Sequence, residues 1–162
     1  MFKGILLLLL LSSFTASNLS ITEVRNAYEK AVYSEQVANE LLDKLNSTNN
    51  NTLLGYKGTV TMMMAKHVFS PYKKLNYFKA GKEILEQALQ KEPLNVELRY
   101  LRFSIQSNSP KFLEYHSNLQ SDKLFLLKEV KTLTDADLKQ RITKFLLKSS
   151  EVNKTEKLTL QQ

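Results

Sequence analysis

Apolar residues recur at every third or fourth position along most of the chain and seldom alternate with polar ones, a pattern that predicts helices and no sheet. Val24, Ala27, Tyr28, Ala31, Ala38, Leu41, Leu42 and Leu45 form one stripe, and Ser20-Ile21-Thr22-Glu23 ahead of it has the form of a capping box. One long first helix is expected, with polar Ser34 and Glu35 interrupting its stripe at mid-length. The Asn, Ser and Thr residues of 46–52 compete with a helical backbone for its own hydrogen bonds, so a loop and an antiparallel return follow.

A second helix is predicted over residues 52–69, with Leu53, Leu54, Tyr56, Val60, Met63, Met64 and Val68 inward and with Gly55 and Gly58 allowing close approach of a neighbour. Ser70-Pro71 ends it. A third helix, 72–91, presents Leu75, Phe78, Ile84, Leu85, Ala88 and Leu89 and stops at Glu92-Pro93. The fourth, 96–106, is apolar on more than one face through Leu98, Tyr100, Leu101, Phe103 and Ile105, which makes it the expected centre of the core. Ser109-Pro110 opens a short fifth helix with Phe112, Leu113 and Tyr115, Ser121-Asp122 a sixth, and Thr134 with Asp137 caps a seventh holding Leu138, Ile142, Phe145 and Leu146. Residues 149–162 offer little to bury and read as a mobile tail. The whole is an all-α, irregular antiparallel bundle of about seven helices.

The first 17 residues are of a different kind. Lys3 precedes an unbroken apolar run from Ile5 to Leu11, followed by small and polar residues, which is the form of a secretory signal peptide. The run is far shorter than the roughly 20 residues of a membrane-spanning helix, so no stable span is expected. Cleavage after Ser17 puts Thr15 and Ser17 at the two specificity positions, whereas a cut after Ala16 would put bulky Phe14 at the first of them. The organisation expected is a signal peptide, 1–17, one helical domain, 18–148, and the tail. The mature chain is then secreted or periplasmic. With no cysteine anywhere, disulfides, thiolate metal sites and a cysteine nucleophile are excluded. The formal charge is +7, and without Lys3 the 22 basic and 16 acidic residues leave +6. Lysines lie in nearly every segment and often three or four residues from a glutamate, as Lys82 does from Glu86, so this favours acidic partners only weakly; nucleic acid is not expected outside the cell.

Tyr72, Gly81, Leu85, Ala88 and Pro93 fall at the spacing at which a tetratricopeptide repeat places an aromatic, a small helix-crossing residue, a large apolar residue, a second small residue and a terminating proline. Residues 68–101 resemble one degenerate repeat of that family, with Phe69 where a small residue belongs and Pro71 cutting the first helix. No second copy stands near 34 residues away. The string from Met64-Ala65-Lys66-His67 to Leu101-Arg102-Phe103-Ser104 is also similar to small secreted bacterial proteins without an assigned activity. The resemblance implies a location and a build, a degenerate repeat inside an irregular helical bundle of an exported protein, and supplies no catalytic residue.

Chemistry-bearing constellations are few. His67 and His116 stand 49 residues apart, without neighbours at metal-ligand spacing, and no metal, cofactor or catalytic residue is assigned. A small hydrolytic enzyme would need His116 to meet Glu114 or Asp122 in a closed pocket. The one basic concentration comprises Lys66, Lys73, Lys74, Lys79, Lys82, Arg99 and Arg102, interleaved with Phe69, Tyr72, Tyr77, Phe78, Tyr100 and Phe103. Lys73, Lys74, Tyr77, Lys82, Arg99 and Arg102 are the candidate binding residues, since arginine forks carboxylate or phosphate and tyrosine adds flat contact area. The competing reading puts the aromatics in the core and leaves the cations solvated or paired with Glu83, Glu86 and Glu97. Met62, Met63 and Met64 likewise serve either an adaptable surface or packing. The function expected is an exported scaffold or adaptor for a protein or peptide partner, with an anionic envelope component as the alternative ligand.

Overall fold

The computed structural model describes residues 19–160, and the expected signal peptide lies outside them. Every regular element described is helical: α1 (Ile21–Ala31), α2 (Glu35–Lys44), α3 (Asn51–Met63), α4 (Pro71–Lys91), α5 (Val96–Asn108), α6 (Leu119–Glu129), α7 (Ala136–Lys148) and α8 (Lys154–Thr159), with 3-10 turns at Met64–Lys66 and Lys111–Leu113. The all-α bundle is therefore as the apolar spacing implies.

Most boundaries coincide with caps. Ser20 and Glu23 form the capping box that opens α1, Asn50 caps α3, Ser70 caps α4 ahead of Pro71, and Asn95 accepts from Glu97 and Leu98 at the start of α5. Ser34 is more than an interruption of a stripe. Its hydroxyl accepts from the Val37 amide, so the expected long first helix is two helices joined by a tight turn. The second helix ends at Met63 and tightens into the 3-10 turn instead of reaching residue 69. The expected fifth helix is only the turn Lys111–Leu113, after which Glu114 takes a left-handed φ of 49°. Helix α6 begins at Leu119, ahead of Ser121-Asp122, and Asp135 rather than Thr134 caps α7.

Helices α3 and α4 make the closest pair, antiparallel and crossing where Gly58 faces Gly81. Asn51 at the start of α3 donates to Glu92 at the end of α4 at 2.8 Å, and Asn95 donates to both Glu92 and Thr52, which fixes the register. Across this pair lies α5, with Leu98, Leu101 and Phe103 fully buried. Tyr28 and Tyr56 meet edge to face at 5.2 Å between α1 and α3, and Phe145 of α7 does the same with Tyr100 and Phe103 of α5. Met62, Met63 and Met64 are all buried, which makes them packing rather than surface. Leu75, expected inward, is instead exposed.

Of the repeat-like positions, Tyr72, Gly81, Leu85 and Ala88 all lie on the continuous α4, with Pro93 just beyond it. Gly81, Leu85 and Ala88 are buried while Tyr72 is 74 % exposed, so the hairpin built around Gly81 is α3–α4.

Residues 149–160 correct the expectation of a tail with little to bury. Val152 is buried, Asn153 and Glu156 form a capping box for α8, and Lys123 of α6 donates to the Glu151 carbonyl and pairs with Glu156 at 3.0 Å.

Candidate functional site

The six candidate binding residues do not form one groove. Lys73 and Lys74 are exposed on the first turns of α4, whereas Lys82, Arg99 and Arg102 belong to a cluster around Glu86, which lies about 18 Å further along the same helix at 1.5 Å per residue. Tyr77 is half-buried and packs against the core.

Arg102 corrects the sequence reading most directly. Its guanidinium forks the fully buried Asp122, with Nε donating at 2.6 Å and Nη2 at 2.9 Å, while Nη1 donates to Glu86 at 3.0 Å. Burial opposes its charge, but hydrogen bonding and attraction from Asp122, reinforced by Glu86, raise its pKa further. Arg99 donates through Nε to the Pro93 carbonyl at 2.7 Å, stacks 4.2 Å over the Phe125 ring and stands 3.4 Å from Asp122. The Lys82 ammonium sits 4.9 Å over the Tyr115 ring, and Tyr115 donates to Glu86. These cations are turned inward to acids, carbonyls and rings. A depression of about 230 Å³ beside them, lined by Glu86, Leu89, Gln90, Pro93, Arg99 and Arg102, is small for a peptide.

A second buried ionic cluster joins α1, α5 and α7. Arg25 donates to Glu97 through Nε at 2.7 Å and Nη2 at 2.9 Å, to Asp135 at 2.8 Å and to Asp137 at 2.9 Å, and Tyr56 donates to Glu97 at 2.6 Å. The bond to Glu97 raises the Arg25 pKa, and Arg25 in turn holds the Asp135 carboxyl below its ordinary range. A cleft of about 320 Å³ lined by Leu19, Ile21, Arg25, Asn50, Thr52, Leu53 and Glu97 opens beside this pair. The charged groups on its wall already satisfy one another.

Neither histidine joins an acid. The His67 Nε2 lies 3.3 Å from the Ala31 carbonyl and the His116 Nε2 3.1 Å from the Ser109 carbonyl, so both tie backbone segments together. Asp122, the carboxylate considered for His116, is engaged by Arg102 and Arg99.

What remains accessible is a group of lysines on the 3-10 turn and α4. From Lys44 through Lys82 the chain carries seven lysines and no aspartate or glutamate. Lys66, Lys73, Lys74 and Lys79 of that stretch are exposed, and among the described residues no acidic side chain pairs with them.

No family model, curated protein or solved structure matches this chain.

The candidate site is accordingly drawn from its own geometry. Lys73 and Lys74 stay in it, joined by Lys66 and Lys79. Lys82, Arg99 and Arg102 leave it for a structural role. Acid-free sequence separates the exposed lysines from the arginines, since residues 44–82 hold no acidic residue while Arg99 and Arg102 follow Glu83, Glu86, Glu92 and Glu97; it does not mark Lys82, which is drawn in by Tyr115 from another segment.

Proposed function

We propose that this chain is an exported helical binding module that captures an anionic partner through the exposed lysines Lys66, Lys73, Lys74 and Lys79. The observation that carries the reading is the segregation of charge. Arg25 and Arg102 are neutralised by carboxylates in buried clusters, while Lys66, Lys73, Lys74 and Lys79 are exposed without acidic partners among the described residues. A cation on a flexible stem suits a partner that presents many negative groups without fixed geometry, whereas the planar fork of arginine, suited to a single carboxylate, is here spent inside the fold. Of the expected partners, an anionic envelope component fits these exposed lysines better than a peptide held in a groove, because the depression beside Arg99 and Arg102 has no free charge to offer. The signal-peptide form of residues 1–17 puts such a partner at the cell envelope or outside it.

Retention on an immobilised polyglutamate matrix tests the reading. The triple variant Lys73→Gln, Lys74→Gln, Lys79→Gln should elute at clearly lower salt than the charge-matched control Lys131→Gln, Lys144→Gln, Lys148→Gln, whose exposed lysines lie outside the acid-free stretch. Equal elution of the two triples would show that only net charge matters and would remove the site.

A further inference from the structure

Uncovered aromatic side chains lie in the same segments as these lysines. Helix α4 has 21 residues against 13 in its partner α3, a difference of about 12 Å, and the residues of its first turns, 71–76, are all exposed. Phe69, immediately before the helix, is 100 % exposed and Tyr72 is 74 % exposed, with Leu75 one turn beyond Tyr72. Tyr33, in the turn between α1 and α2, is 88 % exposed. The His67 ring reaches the Ala31 carbonyl across these two connections, so Phe69 and Tyr33 each lie two residues from that contact and belong to one end of the molecule. Lys30, Lys66, Lys73 and Lys74 are exposed in the same segments, and in segments 30–35 and 66–75 Glu35 is the one acidic residue. Isolated exposed apolar residues are ordinary; two connections converging to show two tyrosines, a phenylalanine and a leucine, in segments whose lysines have no acidic partner among the described residues, are not.

We infer that this end of the molecule docks on an anionic lipid bilayer, with Phe69, Tyr72 and Tyr33 at the headgroup level and Lys30, Lys66, Lys73 and Lys74 on the lipid phosphates. The inference rests on the proposed anionic partner and names its class. Charge complementarity selects the occupant, because cations alone would suit any polyanion, but uncovered aromatic side chains beside them gain only from an apolar layer beneath a negative surface. A bilayer interface supplies both, and aromatic rings with flanking lysines partition there. No helix among the described residues is long and apolar enough to cross a membrane, so contact would be peripheral.

The chain contains no tryptophan, which allows a reporter at the site itself. Full-length Phe69→Trp is mixed with vesicles of phosphatidylglycerol and phosphatidylcholine, or of phosphatidylcholine alone, and a Leu124→Trp variant, exposed on α6, serves as the control. Emission of Phe69→Trp should shift to the blue and be quenched by brominated acyl chains with the anionic vesicles only, and the control should not respond. Adding Lys73→Gln and Lys74→Gln should weaken the vesicle partition coefficient about 25-fold, at roughly fivefold per lysine. Because the signal arises at position 69, attachment through another segment does not imitate it. Unchanged emission with anionic vesicles, or an equal response to neutral ones, overturns the inference. If that happens while the lysine triple still loses polyglutamate affinity, the anionic partner stands and is not a membrane. If both responses are absent, both readings fall.

Discussion

Gly58 on α3 and Gly81 on α4 meet backbone to backbone. A Cβ on Gly58 would stand 2.7 Å from the Gly81 carbonyl oxygen and 2.7 Å from the Leu85 amide nitrogen, and a Cβ on Gly81 would stand 2.6 Å from the Met62 amide nitrogen. Those obstacles are main-chain atoms, so no rotamer change relieves them. Alanine would ordinarily stabilise a helix over glycine by about 1 kcal/mol. Here Gly58→Ala and Gly81→Ala should each destabilise by about 1–3 kcal/mol as the helices are forced apart. Denaturant midpoints measure this, and a gain in stability in either variant would mean that the two helices can separate without loss.

Arg102 and Asp122 provide the second test. A surface arginine exchanged for glutamine changes stability little, but Arg102 is the main partner of a carboxylate with no exposure. Arg102→Met should cost about 3–5 kcal/mol, because Asp122 would keep only the longer contact to Arg99. The double variant Arg102→Met, Asp122→Leu should recover most of that loss by removing the stranded charge. A chemical denaturation series on the wild type, both single variants and the double closes the cycle, and a small single-variant loss would return Arg102 to the list of available cations.

Where local sequence chemistry decides a feature, the sequence displays it. Ser20 with Glu23, Ser70 before Pro71, and Asn95 three residues before Leu98 are caps visible in the order of residues, and α1, α4 and α5 begin there. Ser34 was visible as an interruption, yet whether a polar residue faces solvent in a continuing helix or turns to cap a new one depends on what the neighbouring stripe packs against. The ionic clusters were not legible in that way. Arg102 and Asp122 are separated by 20 residues, Arg25 and Glu97 by 72, and no periodicity connects positions on different helices. Their burial made the sequence's most attractive binding cations structural. Phe69 and Tyr72 are open in the sequence between a core and a surface reading, and the structure leaves both exposed, Tyr72 on the first turn of α4, which is eight residues longer than α3.

The titrating groups predict a stability plateau with two shoulders. On the acid side, Asp135 is held below its ordinary range by Arg25, Glu92 by the Asn51 and Asn95 amides, and Glu156 by the Asn153 backbone amide. The folded state then binds fewer protons than the unfolded one around pH 4, so their contribution is complete above that range and lost as pH falls through the folded values. On the alkaline side, burial pushes Tyr28 up to about 12 and moves Tyr56, Tyr100 and Tyr115 higher. Unfolded tyrosine ionises near pH 10 while these phenols keep their protons, so unfolding releases protons and stability falls as pH rises from about 10. Midpoints collected across pH should be level between roughly 5 and 9 and fall on both sides. Tyr100→Phe, which removes one such phenol, should make the alkaline fall shallower; an unaltered slope would place the alkaline loss elsewhere.

Residues 149–160 add the final prediction. Val152 is 3 % exposed, Leu160 packs against the core, and Lys123, itself largely buried on α6, finds its partners in the Glu151 carbonyl and the Glu156 carboxylate. Deleting the segment therefore exposes apolar surface and leaves a buried ammonium without acceptors. Val152→Ala should cost about 1–2 kcal/mol from the two methyl groups removed. Removing residues 149–162 should cost more than that, and adding Lys123→Met to the truncated chain should restore part of the difference, because the stranded charge is then gone. Thermal and denaturant unfolding of the four chains decides the point. A truncated chain as stable as the full one would show that α8 detaches freely and that Lys123 satisfies itself with solvent.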